Sequence, residues 1–224
     1  PATGNLTVQV FQRRCTRVLH VVRELGGGGI ESFLCEVSSV LTEHFDLNLH
    51  AWRNGLTYGE PPWPNADASP VVGSITQARS LLRTLRTWQP DIVHCHAPEV
   101  FLFTSALLLA SRSRSRTISH IHQVLTGTGS RTPLGWMFGK LAHARCRKVI
   151  ACSHVAADQL RSDPRIAAEK LCVLYNPVNT SAFEASGANA SFRSAADASR
   201  GGLLGVFLGR LDIQVKGIDV LCTA

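Results

Sequence analysis

The sequence has 224 residues, enough for one large domain or for one domain and part of a second. With 45% hydrophobic and 17% charged residues, it has the composition of a soluble globular protein, and its longest apolar stretch, residues 100–110, is too short to span a bilayer. The formal net charge of +7 favours anionic partners, such as nucleotide diphosphates, nucleic acid or an acidic membrane face.

The first half of the chain predicts two strands and two helices. Residues 17–22 predict a buried strand, and four glycines at 26–29 separate it from a helix with the apolar stripe Ile30, Phe33, Leu34, Val37 and Leu41. Residues 47–52 alternate like a second strand. The sequence Ser74-Ile-Thr-Gln77 is a capping box, and it predicts a helix with the apolar stripe Ile75, Ala78, Leu82 and Leu85.

The next hundred or so residues continue this alternation. Strands are predicted at 91–95, 117–121, 148–152 and 171–174, and helices at about 100–111, 134–144 and 154–161. Strands that alternate with helices indicate an α/β fold, a doubly wound parallel sheet with helices on both faces. Ligands of such folds bind at the carboxyl ends of the strands.

The composition changes after this region. Residues 184–202 are mostly Ala, Ser, Gly and Asn without an apolar period, which predicts a linker. Residues 203–208 then predict a new buried strand, and a helix begins at Ile218. We therefore expect an N-terminal extension or extra strand at 1–16, a first domain at 17–183, and the incomplete start of a second at 203–224. The chain starts at Pro1 and stops inside a helical pattern, so we expect a fragment.

Cysteine usage predicts free thiols. The seven cysteines are odd in number and contain no CxxC pair, and four of them lie in apolar runs: Cys35, Cys95, Cys152 and Cys222. Buried free thiols in a reducing cytoplasm are the simplest interpretation.

The glycines at 26–29 lie between the first strand and the first helix. Glycines there let the backbone approach a phosphate or sugar, and a helix N-terminus favours negative charge. A tight turn without a ligand is an equally good interpretation. The GxGxxG dinucleotide pattern is incomplete, because Glu31 and Ser32 stand where its third glycine is needed.

Two histidine pairs end predicted strands. His94 and His96, and likewise His120 and His122, are two residues apart, so each pair faces one side of its strand. A zinc site could be built from both pairs, but no carboxylate or thiol is spaced to complete it. The favoured interpretation is that His96 and His122 point into a ligand cleft.

Two basic segments have different interpretations. The run Arg112-Ser-Arg-Ser-Arg116 is more typical of a solvated loop than of a lipid or nucleic-acid contact, and no aromatic residues are interleaved with it as in a single-strand binder. We therefore expect no nucleic-acid partner. The segment 209–217, by contrast, follows a buried strand and precedes a helix. Its Arg210 and Lys216 suit a leaving diphosphate, although a surface turn with two ordinary cations is the alternative.

These segments together resemble the family 4 glycosyltransferases, which have two facing Rossmann-like domains in the GT-B fold. The resemblance covers nearly everything from Arg17 onward. It rests on six segments in family order: LHVVRELGGGGIESFL, PDIVHCHAP, RTISHIHQ, VIACSHVAADQL, LYNPVNTSAF and VFLGRLDIQVKGIDVLCTA. The GGIE sequence with its apolar helix is most similar to the capsular and exopolysaccharide branch.

The resemblance implies a retaining transfer of a sugar from a nucleotide diphosphate sugar to a glycan or lipid-linked acceptor, without a metal or other cofactor. It assigns the active-site histidine to His122, acceptor-side binding to Gly28, Gly29, His96 and Ser153, and donor diphosphate binding to Arg210 and Lys216. A cytoplasmic protein is expected, with possible peripheral contact between its basic first domain and the anionic inner membrane face. The fragment alone is expected to be inactive.

Three departures from the family pattern stand out. Arg210 and Lys216 are one residue further apart than usual, Asn179 replaces an Asp, and the E-x7-E segment of the family does not occur in this sequence. Two alternatives are a non-catalytic nucleotide- or sugar-binding α/β module and an NAD-dependent oxidoreductase. Arg53 counts against the oxidoreductase, because an acidic residue that binds ribose is expected there.

Overall fold

The computed structural model describes residues 15–24, 29–53, 74–123, 132–178, 180 and 218–223. The chain divides into two units, Pro1–Val178 and Asn179–Ala224. In the second unit, the described part is position 180 and the helix Ile218–Thr223. The predicted extension at 1–16 lies almost wholly outside the described residues, and the predicted linker at 184–202 and strand at 203–208 lie entirely outside them. The predicted domain boundaries therefore stay predictions.

The first unit is built on one parallel sheet of six strands in the order β2-β1-β3-β4-β5-β6. The strands are β1 Thr16–Glu24, β2 Phe45–Arg53, β3 Ile92–Cys95, β4 Arg116–Ile121, β5 Cys146–Ala151 and β6 Leu171–Val173. Each lies at a predicted position, with its ends shifted by at most two residues.

Five helices connect these strands: α1 Gly29–Leu41, α2 Ser74–Thr87, α3 Pro98–Ala110, α4 Pro133–Arg145 and α5 His154–Arg161. A short 3-10 helix, Ala168–Lys170, precedes β6. Both α3 and α4 begin with proline, whose fixed φ suits the first turn and whose missing N–H has no partner there anyway. The Oγ1 of Thr132 accepts a hydrogen bond from the N–H of Gly135 and so caps α4.

The core lies on both faces of the sheet. In β1, Val18 and Val22 pack on the face covered by α1, together with Phe33. The alternate residues Leu19 and Val21 pack on the other face, which α2, α3 and parts of α4 and α5 cover. A strand with both faces covered is mainly apolar, which explains why residues 18–22 are apolar except for His20. The predicted doubly wound α/β fold is confirmed.

The buried face of α2 differs from the predicted one. The helix buries Gln77, Leu81 and Leu85, whereas Ile75 is 68% exposed. Leu81 and Leu82 are neighbours, so the apolar pattern of the sequence is compatible with either of two faces of the helix, which are about 100° apart. Packing of the i, i+4, i+8 line against the sheet selects the face that carries Gln77.

All seven cysteines are free, but their burial corrects the sequence expectation. Cys95 is buried as predicted, Cys152 is half-buried, and Cys35 and Cys222 are exposed. Cys35 directly follows the buried Leu34 on α1, and a step of one residue turns a side chain by about 100°, away from the core. An apolar run in a helix therefore does not bury every member.

Candidate active site

The carboxyl edge of the sheet has its crevice at the ends of β1 and β3. The chain passes from β1 to β2 on one side and then to β3 on the other side of β1. Such a reversal of strand order opens the crevice in which ligands of parallel sheets bind. His96 directly follows β3, and His122 directly follows β4, one strand further along.

Five histidines line one face of the sheet at this edge. The register places His20 of β1 beside His94 of β3. It also places Cys95 beside Ser119, so the next residues in the two strands, His96 and His120, are level. Alternate residues of a strand share a face, and the ring centroids are correspondingly close: 4.2 Å for His94 and His96, and 3.9 Å for His120 and His122. The predicted same-face arrangement of each pair is confirmed.

Three of these rings form a hydrogen-bonded chain. The Nδ1 of His20 lies 2.9 Å from the Nε2 of His96, and the Nδ1 of His96 lies 3.0 Å from the Nε2 of His122. A neutral imidazole has one donor and one acceptor nitrogen, so His96 uses its full hydrogen-bonding capacity between its two neighbours. His122 is thereby held from behind by a ring that is 1% exposed.

Phe33 of α1 covers this face. Its ring centroid lies 5.0 Å from that of His122, 5.1 Å from that of His120 and 5.8 Å from that of His96. Edge-on packing of this kind presents the positive rim of one ring to the face of another. Phe33 is four residues from Gly29, so about 6 Å of helix rise separates it from the start of α1.

Burial keeps the histidines neutral. It lowers the pKa of His20 and of His122 to about 4 and that of His120 to about 3. For His122, a hydrogen-bonding interaction with the Asn176 side chain acts in the opposite direction. Burial likewise lowers the pKa of His94 and His96, and the neighbouring histidines add to the effect, since a second positive charge in the cluster would be repelled.

Some ring nitrogens at this edge have no hydrogen-bond partner among the residues that the structure describes. They are both nitrogens of His120, which is fully buried, and the Nε2 of His94. The same part of the chain contains two histidine trios whose nitrogens lie within 4.8 Å of one another, His20 with His94 and His96, and His96 with His120 and His122. Three members of the two predicted pairs thus meet in the trio of His96, His120 and His122, and His20 joins the other trio.

Some predicted site residues lie elsewhere or outside the described residues. Gly29 is the first residue of α1 and is exposed, with open space where a side chain would start. Ser153 caps α5, because its Oγ accepts a hydrogen bond from the N–H of Ala156 at 3.2 Å. Gly28, Arg210 and Lys216 lie outside the described residues. The binding roles of all five residues stay predictions.

Sequence reasoning missed His20 and Phe33. His20 stands inside an apolar run, and a single histidine there has the appearance of an ordinary core residue. The register that brings His20 beside His94 is a property of the folded sheet, so no local pattern in the sequence identified His20. Phe33 was assigned to the core stripe of α1, which is correct, but this stripe also covers the histidine rings.

The family of the chain follows from a family model. Residues 16–182 match the model described as Glycosyltransferase Family 4, which covers most of the chain. The chain belongs to Glycosyltransferase Family 4. For this family 4 glycosyltransferase chain, a search of curated proteins found no match.

Three solved structures illustrate the similarity of the fold. HepE from Anabaena, in complex with UDP and glucose, has a TM-score of 0.61 and 15% identity over 81% of this chain and 50% of its own. A glycosyltransferase from Rickettsia africae has a TM-score of 0.59 and 16% identity over 83% of this chain and 50% of its own. The catalytic domain of starch synthase IV from Arabidopsis thaliana, bound to ADP and acarbose, has a TM-score of 0.58 and 14% identity over 94% of this chain and 65% of its own.

These likenesses concern the fold. The family 4 chain has the N-terminal Rossmann-like architecture of GT-B glycosyltransferases, as predicted, and it spans about half the length of HepE and of the Rickettsia enzyme. Among the described helices, none has both the length and the apolar character that crossing a membrane would require.

Proposed function

We propose that this family 4 chain forms the acceptor-side half of a retaining glycosyltransferase, which moves a sugar from a nucleotide diphosphate sugar to a glycan or lipid-linked acceptor. The observation that carries the proposal is the position of His122, a neutral ring at the carboxyl edge of the sheet beside the switch point, in a chain that belongs to Glycosyltransferase Family 4. The GGIE sequence favours the capsular and exopolysaccharide branch.

The donor class is supported by the neighbours. HepE from Anabaena has been solved with UDP and with UDP-glucose, and starch synthase IV with ADP. A nucleotide diphosphate also suits the net charge of +7 on this chain. The identity of the sugar and of the nucleotide would be set by residues of the donor-binding half.

His122 would bind and orient a substrate hydroxyl in this proposal. The Nε2 of His122 is hydrogen-bonded to His96, so Nδ1 is the nitrogen left for a substrate hydroxyl, and it donates or accepts according to the tautomer of the neutral ring. Hydrogen bonding to His96 fixes the ring plane before substrate arrives. Because His96 is buried behind His122, we now assign it to positioning His122 rather than to direct contact with the acceptor.

The leaving diphosphate would be stabilised by Arg210 and Lys216. Negative charge grows on the diphosphate as the glycosidic bond breaks, and two fixed cations at a βα turn stabilise this charge without reorganising. Arg210 offers a planar fork for two oxygens, and Lys216 offers a mobile point charge. These two side chains supply the positive charge that a metal would supply elsewhere, so the transfer itself needs no metal.

The acceptor would approach near the start of α1. Gly29 leaves open space at the helix N-terminus, where the helix dipole favours an oxygen-rich ligand. Gly28 precedes it in the same loop. Ser153 caps the helix that follows β5, and we retain its acceptor contact as a prediction.

A membrane contact would be made through α4. Its outward side chains are large and apolar, with Leu134 72%, Met137 59% and Leu141 48% exposed, and its inward residues include Gly139 and Ala142. Apolar side chains beside cations are typical of helices that lie in a lipid interface. The ammonium of Lys140 lies 5.4 Å from the centre of the Trp136 ring, and Arg145, Arg147 and Lys148 follow. We expect a cytoplasmic enzyme that contacts the inner membrane face here.

The experiment is a transfer assay on protein that carries both halves. A panel of radiolabelled nucleotide sugars is incubated with lipid extract and glycan acceptors, and the anomeric configuration of the product is determined by NMR. The proposal expects turnover with a retained configuration, and no turnover from the 224-residue chain alone. Inverted configuration overturns the retaining assignment. Nucleotide binding without transfer to any acceptor overturns the enzyme assignment in favour of a binding module.

A further inference from the structure

The histidine cluster contains ring nitrogens that have no role in the proposed transfer reaction. His122 and His96 have roles in that proposal, but His120 has none. It is fully buried, and neither of its ring nitrogens has a hydrogen-bond partner among the described residues. A buried polar atom without a partner is destabilising by about 1–3 kcal/mol. An ordinary core histidine would be expected to have at least one partner.

We propose that His96, His120 and His122 form a binding site for one transition-metal ion of the Zn²⁺ class, with the fourth coordination position open. One ring nitrogen from each of the three lies within 4.8 Å of the others. The site goes beyond the proposed function, because sugar transfer there needs no metal.

The geometry is close to that of a bound ion. Zinc binds histidine nitrogen at about 2.0–2.1 Å in a tetrahedron, so two ligand nitrogens are about 3.3 Å apart. The Nδ1 of His96 and the Nε2 of His122 are already 3.0 Å apart. The third nitrogen, from His120, needs a movement of about 1.5 Å at most relative to the others, which side-chain rotation provides. His122 is half-buried, so an ion can enter from the strand edge.

His20 provides the outer support that histidine ligands usually have. A metal-ligating histidine normally donates its other ring N–H to a fixed acceptor, which sets its tautomer. If His96 ligates through Nδ1, its Nε2 carries the proton, and that nitrogen lies 2.9 Å from the Nδ1 of His20. The hydrogen bond that the structure contains is therefore the one that ligation through Nδ1 requires.

The ligand chemistry selects the class of ion. Three imidazoles suit Zn²⁺, Co²⁺, Ni²⁺ and Cu²⁺, whereas Mg²⁺, Ca²⁺ and Mn²⁺ prefer oxygen ligands. Burial holds the rings in the neutral form that ligates metals. A bound ion would also withdraw His122 from a substrate hydroxyl, so we expect Zn²⁺ to inhibit transfer; this consequence, unlike the binding itself, rests on the proposed function.

The test is a metal titration of the 224-residue chain after treatment with a chelator. Co²⁺ is the spectroscopic probe, because a tetrahedral cobalt site absorbs strongly in the visible region, and Zn²⁺ is then used to displace it. We expect one equivalent of Co²⁺ with a tetrahedral spectrum and micromolar or tighter affinity. Mg²⁺ should neither produce nor displace the signal.

Matched variants locate the site. His122→Asn and His120→Asn should each weaken Co²⁺ binding at least about 100-fold, and His20→Asn, which removes outer support, about 10-fold to 100-fold. His154→Asn is the control, because His154 is exposed on α5 and outside both trios. Circular dichroism checks each variant for native secondary structure. His122 stands after the end of β4, so its variant tests the site even if His120→Asn fails to fold.

The proposal is overturned if the wild-type chain shows no saturable cobalt spectrum, or if folded His122→Asn binds as tightly as His154→Asn. Stoichiometric binding without any effect of Zn²⁺ on transfer would leave the metal site standing and would contradict the role of His122 in catalysis. The two proposals therefore fail separately.

Discussion

The Nδ1 of His96 lies 3.0 Å from the Nε2 of His122, so the ring after β3 is hydrogen-bonded to the ring after β4. Neither residue is inside its strand, because β3 ends at Cys95 and β4 ends at Ile121. A hydrogen bond between two such rings fixes the relative position of two neighbouring strand ends. The candidate active site is therefore anchored by side chains as well as by the backbone of the sheet.

Replacement of His122 by Asn should lower the turnover number of sugar transfer. Asn keeps a polar side chain but is shorter, so the hydrogen bond to a substrate hydroxyl is lost or lengthened. A lost hydrogen bond of about 1–3 kcal/mol corresponds to about a tenfold to hundredfold lower rate. Steady-state kinetics on protein with both halves measures it. His154→Asn, at an exposed position, should change the rate less than twofold, and equal rates for the two variants would refute the role of His122.

Arg210→Ala and Lys216→Ala should each lower turnover by about a hundredfold or more, with a smaller effect on nucleotide affinity. The loss of about 3 kcal/mol appears in turnover because the interaction strengthens as the diphosphate leaves. Arg114→Ala, a cation in the exposed turn before β4, is the control for net charge. If Arg210→Ala and Lys216→Ala both stay within about threefold of the wild-type turnover, the leaving-group assignment is wrong.

Asp163→Asn should destabilise the fold by about 3 kcal/mol. The Asp163 and Arg165 side chains are 6% and 10% exposed, and the Nε and Nη2 of Arg165 donate to the carboxylate at 2.8 and 2.5 Å. Removal of one charge leaves the guanidinium buried without its partner. Urea denaturation measures the difference. The control is Asp158→Asn, whose pair with Arg161 is exposed, and it should change stability by less than about 0.5 kcal/mol.

The same pair predicts an acid dependence with a defined sign. Burial raises the pKa of Asp163, but the hydrogen bonds and charge of Arg165 outweigh burial and hold the pKa below its ordinary value of 3.8. The stabilisation that the Asp163 carboxylate contributes is therefore complete above about pH 3.8 and is lost as the pH falls below that value. The stability difference between wild type and Asp163→Asn should be constant from pH 7 to pH 5. A difference that already shrinks in that range would contradict the lowered pKa.

His143 should make the protein less stable at mildly acidic pH. Burial lowers its pKa to about 4 from the ordinary 6.5; nearby Asp163 opposes this effect, and Arg165 and Lys170 add to it. Below pH 6.5 the unfolded chain binds a proton that the folded chain binds only near pH 4, so acid favours unfolding by about 1.4 kcal/mol per pH unit. Between pH 7 and pH 5, the free energy of unfolding of His143→Gln should fall by about 1–2 kcal/mol less than that of wild type. Urea denaturation at each pH measures the difference.

Trp136→Ser with Met137→Ser should weaken binding to vesicles of anionic phospholipid at least tenfold. Burying one such side chain in lipid contributes about 1.5–3 kcal/mol, and α4 exposes both. Co-sedimentation with vesicles measures the partition coefficient. Val155→Ser is the control, because Val155 is an exposed apolar residue that lies on α5 rather than on α4. If wild type and the double variant bind equally, α4 is not the membrane contact. Binding of the wild type should also weaken as the salt concentration rises, since the basic residues at the end of α4 contribute to it.

The elements of the first unit could be predicted from sequence because each strand and helix has its own apolar period. The strand predicted at 17–22 has apolar residues on both of its faces, whereas the stripe that begins at Ile30 has the helical period, so the two classes separate cleanly. The face of α2 could not be predicted, because Leu81 and Leu82 both lie on plausible faces. The choice depends on the sheet against which the helix packs, which is long-range information.

The histidine site was partly predictable for the same reason. The i and i+2 spacing places His94 with His96, and His120 with His122, on common faces of their strands. That these faces meet, and that His20 joins them, depends on the order of the strands and on their register. Neither property is encoded in a local pattern, so the hydrogen-bonded chain of three rings became visible only in the folded sheet.

The chain of rings from His20 through His96 to His122 has a polarity. Because each neutral ring donates through one nitrogen and accepts through the other, reversing one hydrogen bond requires reversing the next. A hydroxyl that donates to His122 selects one direction along the row, and a hydroxyl that accepts from it selects the other. The chain of rings therefore has two hydrogen-bonding states, one for each orientation of the hydroxyl. The two states differ as far away as His20 in β1, two strands from the ligand.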